Sequence, residues 1–206
     1  MQLNEAGIIR IYVHINDWST ICEGIGYNNI KKIGEVPMLK VSRIFLVGPM
    51  GTGKTSIGSR LSRALDYSFV DTDAEIEKRT GVKIDVIFDI EGEDGFRKRE
   101  IDVIKEFASR ENIVIATGGG SVLAPENQRA LASGFVIYLS SSIETLMNRI
   151  REDTSRPLLN VSDREERLRN IVNERKPVYS KVADLTIKTD DFSIKRIIKI
   201  ISDEVT

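Results

Sequence analysis

The stretch "GPMGTGKTS", residues 48–56, decides the fold of this chain. It matches the phosphate-loop pattern G-x-x-x-x-G-K-[ST] in full. The apolar run "VSRIFLVG" precedes it, and "KTSIGSRLSRAL" follows it with apolar residues at helical spacing. A strand, a glycine-rich loop and a helix N-terminus together form a cradle of N–H groups for phosphate oxygens. The sequence therefore predicts an α/β protein that binds a nucleotide phosphate here.

Strands alternate with helices along the rest of the chain. Short apolar runs in "YSFVDTD", "NIVIATGGG", "FVIYLS" and "LTIKT" predict strands, and the segments between them have helical periodicity. One of these helical segments is expected to break around "EGEDG". We therefore expect a three-layer P-loop sandwich, in which a central parallel sheet of about five strands carries helices on both faces.

The overall composition narrows the function classes. The chain has 206 residues and a net charge of −1, which gives no electrostatic footprint for nucleic acid or an anionic membrane. Its single cysteine, Cys22, excludes an internal disulfide and favours a reducing compartment, so we expect a cytoplasmic protein. Its single histidine, His14, argues against a His-based triad or a His/Cys zinc site.

The first 37 residues differ in composition from the rest. They contain the only His, Cys and Trp of the chain. The alternation in "GIIRIYVHI" is compatible with a strand. We interpret residues 1–37 as a poorly ordered appendage or an upstream-extended start, and residues 38–206 as the functional domain. The alternative is a regulatory or packing extension.

Two acids follow the second predicted strand. Asp71 and Asp73 are two residues apart, so in extended structure their side chains would point the same way. At the carboxyl end of a strand, such a pair could serve a hydrated Mg²⁺ and a substrate hydroxyl. The alternative is an acidic turn, or a helix N-cap at Asp73.

Four further motifs are candidates for substrate recognition. Arg97 and Glu100 of "GFRKRE" share a helix face, where a guanidinium could grip a small carboxylate. The glycines of "ATGGG", Gly118 to Gly120, suit close approach of the backbone to a ligand. Arg156 of "RPLL" could bind the γ-phosphate, and Arg175 of "ERKPVY" could bind a carboxylate. Taken singly, the arginine motifs are more often structural surface charges, and the glycines could be a flexible connection.

Together these motifs, in this order and spacing, resemble the shikimate kinases of the bacterial stand-alone type, over about residues 41–200. The resemblance implies ATP-dependent phosphorylation of the 3-hydroxyl of shikimate, on the pathway to chorismate and the aromatic amino acids. It also implies a lid at about residues 152–162 and a substrate-binding segment at about residues 74–100. We expect a monomer with no nucleic-acid or membrane partner.

The resemblance also implies roles for individual residues. Lys54, Asp73 and Arg156 would be catalytic, with Asp73 accepting a hydrogen bond from the attacking hydroxyl. Thr55 would bind Mg²⁺ directly and Asp71 through water. The expected shikimate-binding residues are Asp73, Arg97, Glu100, Gly118, Gly119, Gly120 and Arg175. The expected ATP-binding residues are Gly51, Thr52, Gly53, Lys54, Thr55, Ser56, Arg156 and, through its backbone or by stacking on adenine, Phe192.

Three rival functions stay open at this point. Another small-metabolite or nucleoside-monophosphate kinase, such as a gluconate kinase, would share the phosphate loop, but it would not be expected to carry all the other motifs. A sensor that binds shikimate or ATP without turnover is disfavoured by the complete set of candidate catalytic residues. A DNA-binding module in the extension would need a helix-turn-helix pattern, which "GIGYNN" and its surroundings do not supply.

Overall fold

The computed structural model describes residues 2–3, 9–10, 41–151, 158, 161 and 163–206. The chain divides into two units, Met1–Lys40 and Val41–Thr206. In the first unit, β1 (Gln2–Leu3) pairs antiparallel with β2 (Ile9–Arg10), which lies within the predicted N-terminal strand. The remaining predictions for residues 1–40 lie outside the described residues. Among the helices of the described residues, none is long and apolar enough to cross a membrane.

The second unit is built on a parallel sheet of five strands. These are β3 (Arg43–Val47), β4 (Ser68–Asp71), β5 (Ile113–Ala116), β6 (Phe135–Ser140) and β7 (Leu185–Lys188). They lie in the order β4-β5-β3-β6-β7, and all neighbouring pairs are parallel. The central strand β3 pairs Ile44 with Val114 on one side and with Phe135 on the other. This sheet confirms the predicted fold class.

Helices cover both faces of the sheet. They are α1 (Lys54–Leu65), α2 (Thr72–Thr80), α3 (Ile84–Phe107), α4 (Pro125–Leu131), α5 (Ile143–Ile150), α6 (Arg164–Val182) and α7 (Ile194–Val205). Because successive strand residues point to opposite faces, Ile44 and Leu46 pack with α1 and α7, whereas Phe45 packs with α3 and α6. The phosphate loop lies between β3 and α1, at the carboxyl end of the central strand.

Local sequence signals set several helix ends. Pro125 occupies the first turn of α4, and the Ser142 hydroxyl caps α5 by accepting from the Thr145 amide. Gly81 closes α2 in the left-handed conformation. The break expected around "EGEDG" is confirmed, because Gly92 has φ 69° and ψ −178° within α3. Each of these helix ends and the break depends on chemistry within a few residues.

The expectation that Asp71 and Asp73 extend from one strand in the same direction was wrong. Strand β4 ends at Asp71, which is the N-cap of α2 and accepts from the amides of Asp73 and Ala74 at 3.1 and 3.2 Å. An aspartate there satisfies amides that a helix start otherwise leaves unpaired, so the chain turns helical at Thr72. The alternative that Asp73 is the cap was wrong for the same reason.

Candidate active site

The phosphate loop has the backbone that its glycines predict. Gly48 and Gly53 have φ values of 137° and 89°, which side-chain-bearing residues rarely adopt. A Cβ atom at Gly48 would also collide with the carbonyl of Leu139 on the neighbouring strand. The loop can therefore turn tightly under a phosphate group only with glycine at these positions.

Lys54 folds over this loop. Its Nζ donates to the carbonyls of Gly48 and Pro49 at 2.8 and 2.9 Å. The hydroxyl of Thr52, which is buried beneath the loop, also donates to Pro49, at 2.8 Å. The ammonium group is thus held over the loop, where an anion seated on the amides would meet it.

A hydroxyl and a carboxylate meet beside the loop. Thr55 Oγ1 donates to Asp71 Oδ2 at 2.6 Å. Over the described residues, no group of three or more His, Cys, Asp or Glu side chains could hold a metal. Mg²⁺ usually keeps several waters and takes one or two protein oxygens together with substrate phosphates. The Thr55–Asp71 pair beside a phosphate loop fits Mg²⁺ bound in that way.

One cavity of about 460 Å³ joins the phosphate loop to the acceptor-side motifs. Most of the predicted site residues line it: Gly51, Gly53, Lys54, Thr55, Ser56, Asp71, Asp73, Arg97, Gly118, Gly119, Gly120 and Arg175. Thr52 lies buried under the loop, and Glu100 lies buried behind Arg97. Phe192 is exposed in the turn after β7 and is not among the described residues that line the cavity. Arg156 and most of the predicted lid lie outside the described residues.

Glu100 is fully buried beside the cavity. Its Oε2 accepts from Arg97 at 2.8 Å, while its Oε1 has no hydrogen-bond partner in the part of the chain that the structure describes. Burial raises the pKa of Glu100 to about 7, with a smaller upward effect from Asp73, although Arg97 and Arg175 act to lower it. The carboxyl group can therefore gain or lose a proton near neutral pH.

The Arg97 guanidinium is shared between two acids. It donates to Glu100 at 2.8 Å and to Glu93 at 2.7 Å. Burial acts to lower its pKa, but the two carboxylates more than offset this, so the pKa of Arg97 lies above its usual value. Arg97 is thus a permanent cation, 17% exposed, at the wall of the cavity.

The raised pKa of Glu100 predicts a pH dependence of stability. The folded protein holds a proton on Glu100 up to about pH 7, whereas the unfolded chain releases it near pH 4.5, so this group makes folding less favourable as pH rises between these values. Glu100→Gln removes the ionisable carboxyl group and with it this loss of stability at higher pH. We expect the melting temperature of Glu100→Gln, relative to the wild type, to increase by about 5 °C between pH 5 and pH 8. A difference that stays constant over this range would contradict the prediction.

Three features of the site were not predicted from the sequence. Phe88 and Phe96, with ring centroids 5.0 Å apart, form an apolar wall; Phe88 follows Ile84 at a spacing of four residues, which was a usable signal. Arg149 donates to the Gly51 carbonyl at 3.1 Å and to Thr189 at 3.2 Å, linking the phosphate loop to the loop after β7. No local pattern indicates that contact.

The third feature is Tyr179. Its fully buried hydroxyl donates to the carbonyl of Gly119. Tyr179 follows Arg175 by one helical turn on α6, so both side chains face the glycine segment from the same helix. The motif "ERKPVY" contained this tyrosine, but nothing local to it indicated a partner 60 residues away.

Comparisons with known proteins agree with this geometry. The family model described as shikimate kinase matches residues 50–206. A shikimate kinase from Legionella pneumophila is 49% identical over 161 residues, covering 78% of this chain and 92% of that protein. One from Francisella philomiragia is 47% identical over 167 residues, covering 80% and 95%. The structure of the Acinetobacter baumannii shikimate kinase in complex with shikimate aligns with a TM-score of 0.76 and 40% identity, over 81% of this chain and 96% of that one. The chain therefore belongs to the shikimate kinase family.

Proposed function

We propose that this protein transfers the γ-phosphate of ATP to the 3-hydroxyl of shikimate, giving shikimate 3-phosphate for chorismate and aromatic amino acid biosynthesis. The observation that carries the proposal is that one continuous cavity joins the phosphate loop to Asp73, Arg97 and Arg175. Such a cavity suits a small anionic acceptor that carries a hydroxyl group. The proposed setting is a cytoplasmic monomer whose catalytic domain spans residues 38–206.

The acceptor half of the cavity supplies complementary chemistry. Arg97 and Arg175 together would bind the shikimate carboxylate, since a guanidinium matches a carboxylate with paired hydrogen bonds. Phe88 and Phe96 would cover the apolar face of the ring. Asp73 would accept a hydrogen bond from the attacking hydroxyl and take its proton late in the reaction. Glu100 would fix Arg97 through Oε2 and leave Oε1 for a substrate hydroxyl.

The donor half positions phosphate and neutralises charge. The amides of residues 51–56 and the Lys54 ammonium would hold the ATP phosphates, with Arg156 above them on the lid at about residues 152–162. Phe192 is proposed to contact adenine by stacking or through its backbone. Phosphoryl transfer depends mainly on alignment and charge stabilisation, so a histidine base is not required.

Mg²⁺ would be held by Thr55 directly and by Asp71 through water, and when bound it would neutralise phosphate charge. Asp71→Asn is expected to raise the Mg²⁺ concentration needed for half-maximal activity by about tenfold, because a carboxylate outside the direct ligands still orients and holds the bound ion. Asparagine is as good an N-cap as aspartate, so the melting temperature should stay the same. Mg²⁺ titrations of activity and of ATP binding test this, and an unchanged Mg²⁺ requirement would contradict it.

The glycine segment predicts a steric effect on acceptor binding. A Cβ at Gly120 would collide with the Arg97 guanidinium, whereas a Cβ at Gly119 would meet its nearest atoms at 3.6 Å, an ordinary contact. We expect Gly120→Ala to raise the KM for shikimate by about tenfold or more, the equivalent of one lost charge-assisted hydrogen bond. Steady-state kinetics measure the KM for shikimate. Gly119→Ala is the steric control, and its melting temperature should equal that of the wild type because the added Cβ has room. An unchanged shikimate KM in Gly120→Ala would argue against the displacement of Arg97.

The function itself is tested by following ADP release from Mg-ATP with shikimate, gluconate, CMP or no acceptor. Release that depends on shikimate supports the proposal. Turnover with gluconate or CMP instead would keep the kinase fold and overturn the acceptor. Shikimate binding in calorimetry without any turnover would favour the sensor function.

A further inference from the structure

Two buried hydroxyl groups from different helices hold the segment Gly118–Gly120. The Tyr179 hydroxyl, on α6, donates to the carbonyl of Gly119. The Thr72 hydroxyl, at the start of α2, accepts from the amide of Gly118 at 3.0 Å. Both side chains are fully buried, and neither is among the described residues that line the cavity.

The environment of Tyr179 suits a fixed donor. Its ring stacks on Tyr138, with centroids 4.9 Å apart and planes at 21°. Burial raises the pKa of the Tyr179 hydroxyl, so it keeps its proton throughout the neutral range. A ring clamped by stacking and a proton that stays in place give the Gly119 carbonyl a permanent partner.

The segment that these hydroxyls hold faces the acceptor half of the cavity. The carbonyls of Gly118 and Gly120 accept from the following turn, at Ser121 and Leu123. The amides of Gly119 and Gly120 make no hydrogen bond within the described ranges, and both glycines line the cavity. Gly120 also lies against the Arg97 guanidinium. The position of the segment Gly118–Gly120 therefore determines where the amides of Gly119 and Gly120 and the Arg97 guanidinium lie in the cavity.

We propose that Tyr179 and Thr72 are positioning residues for the acceptor subsite. They act on shikimate without contacting it, through the backbone of Gly118–Gly120 and, for Tyr179, also through the Arg175 side chain that acts on its hydroxyl; this inference rests on the proposed function. Losing either hydroxyl would let the glycine backbone drift, and a displacement well below 1 Å is enough to weaken hydrogen bonds to a small rigid substrate. The nucleotide phosphates are held by the phosphate loop, which meets Gly119 only at ordinary contact distance, so the KM for ATP should change far less than the KM for shikimate.

The test uses the full chain and four variants. Tyr179→Phe keeps the ring stack and Thr72→Val keeps the side-chain shape, but each loses its hydroxyl. We expect each to raise the KM for shikimate by about 3- to 10-fold, as loss of one net hydrogen bond implies, with the KM for ATP within about twofold of the wild type. Thr72→Ser retains the hydroxyl and should restore the wild-type KM. Tyr138→Phe removes a hydroxyl that has no hydrogen bond in the described part of the chain, so it should behave as wild type.

Each result decides the inference. If the variants lose melting temperature but keep the wild-type shikimate KM, or if both KM values rise equally, the hydroxyls are merely structural and the inference is overturned. Should one variant fail to fold, the other still decides, because the same selective effect is required of both. Absence of shikimate turnover in the wild type would overturn the proposed function together with this inference. If the wild type turns over shikimate and the Tyr179→Phe and Thr72→Val variants keep the wild-type KM for shikimate, only this inference is overturned.

Discussion

Asp73→Asn is expected to lower kcat by about 10²- to 10⁴-fold, the range that a positioned general base contributes. Asp73 stands in the first turn of α2 and lines the cavity between the phosphate loop and Gly118. An amide in its place keeps the shape but cannot take the proton of the attacking hydroxyl. Because the exchange also keeps the backbone amide that Asp71 caps, folding should be preserved.

The matched control for this variant is Asp89→Asn, an exposed acid on α3. It removes the same charge from the same part of the protein and should leave kcat unchanged. ADP release at saturating ATP and shikimate gives kcat, and calorimetry gives the affinity for shikimate. If Asp73→Asn retained more than about a tenth of the wild-type kcat, Asp73 would not be the base.

Arg97→Lys is expected to raise the KM for shikimate by about 10- to 100-fold. This corresponds to the loss of one charge-assisted hydrogen bond and of the planar, paired geometry of the guanidinium. Arg97 already uses part of its guanidinium on Glu100 and Glu93 while it faces the cavity. A lysine ammonium is a point charge on a flexible stem and cannot hold the buried Glu100 and a substrate carboxylate in one plane. The KM for ATP should change little.

The control is Arg99, which lies two residues after Arg97 on α3. It pairs with Glu91 at 2.5 Å on an exposed surface, where such pairs contribute little. Arg99→Lys should therefore keep both KM values. If Arg97→Lys and Arg99→Lys behaved alike, Arg97 would be one more surface charge, as the mixed-charge alternative holds.

Most of the fold could be predicted from the sequence because its signals are local. The strand, glycine loop and helix around Lys54 are encoded within 25 residues, and the conformation of Gly48 and Gly53 follows from their lack of a side chain. The break at Gly92 and the caps at Gly81 and Ser142 likewise depend on neighbouring residues. The error at "DTD" was also local: two rules competed, and helix capping by Asp71 outweighed strand alternation.

The candidate site could be assembled only in part from the sequence. Its motifs indicated Asp73, Arg97 and Arg175, since each residue type carries its chemistry wherever it stands. The burial of Glu100 could not be seen in "GFRKRE", because a carboxylate at that spacing is just as compatible with a solvated helix face. Its titration near neutrality therefore depends on packing and not on composition.

By itself, the sequence determined the order of the elements, the phosphate loop and the residue types available to the acceptor. The tertiary structure alone decided which of them meet. Thr72 reaches Gly118 across 46 residues, and Tyr179 reaches Gly119 across 60. Periodicity and capping act over one or two turns of chain. These two hydrogen bonds form only because the folded sheet places the ends of β4 and β5 side by side, next to helix α6.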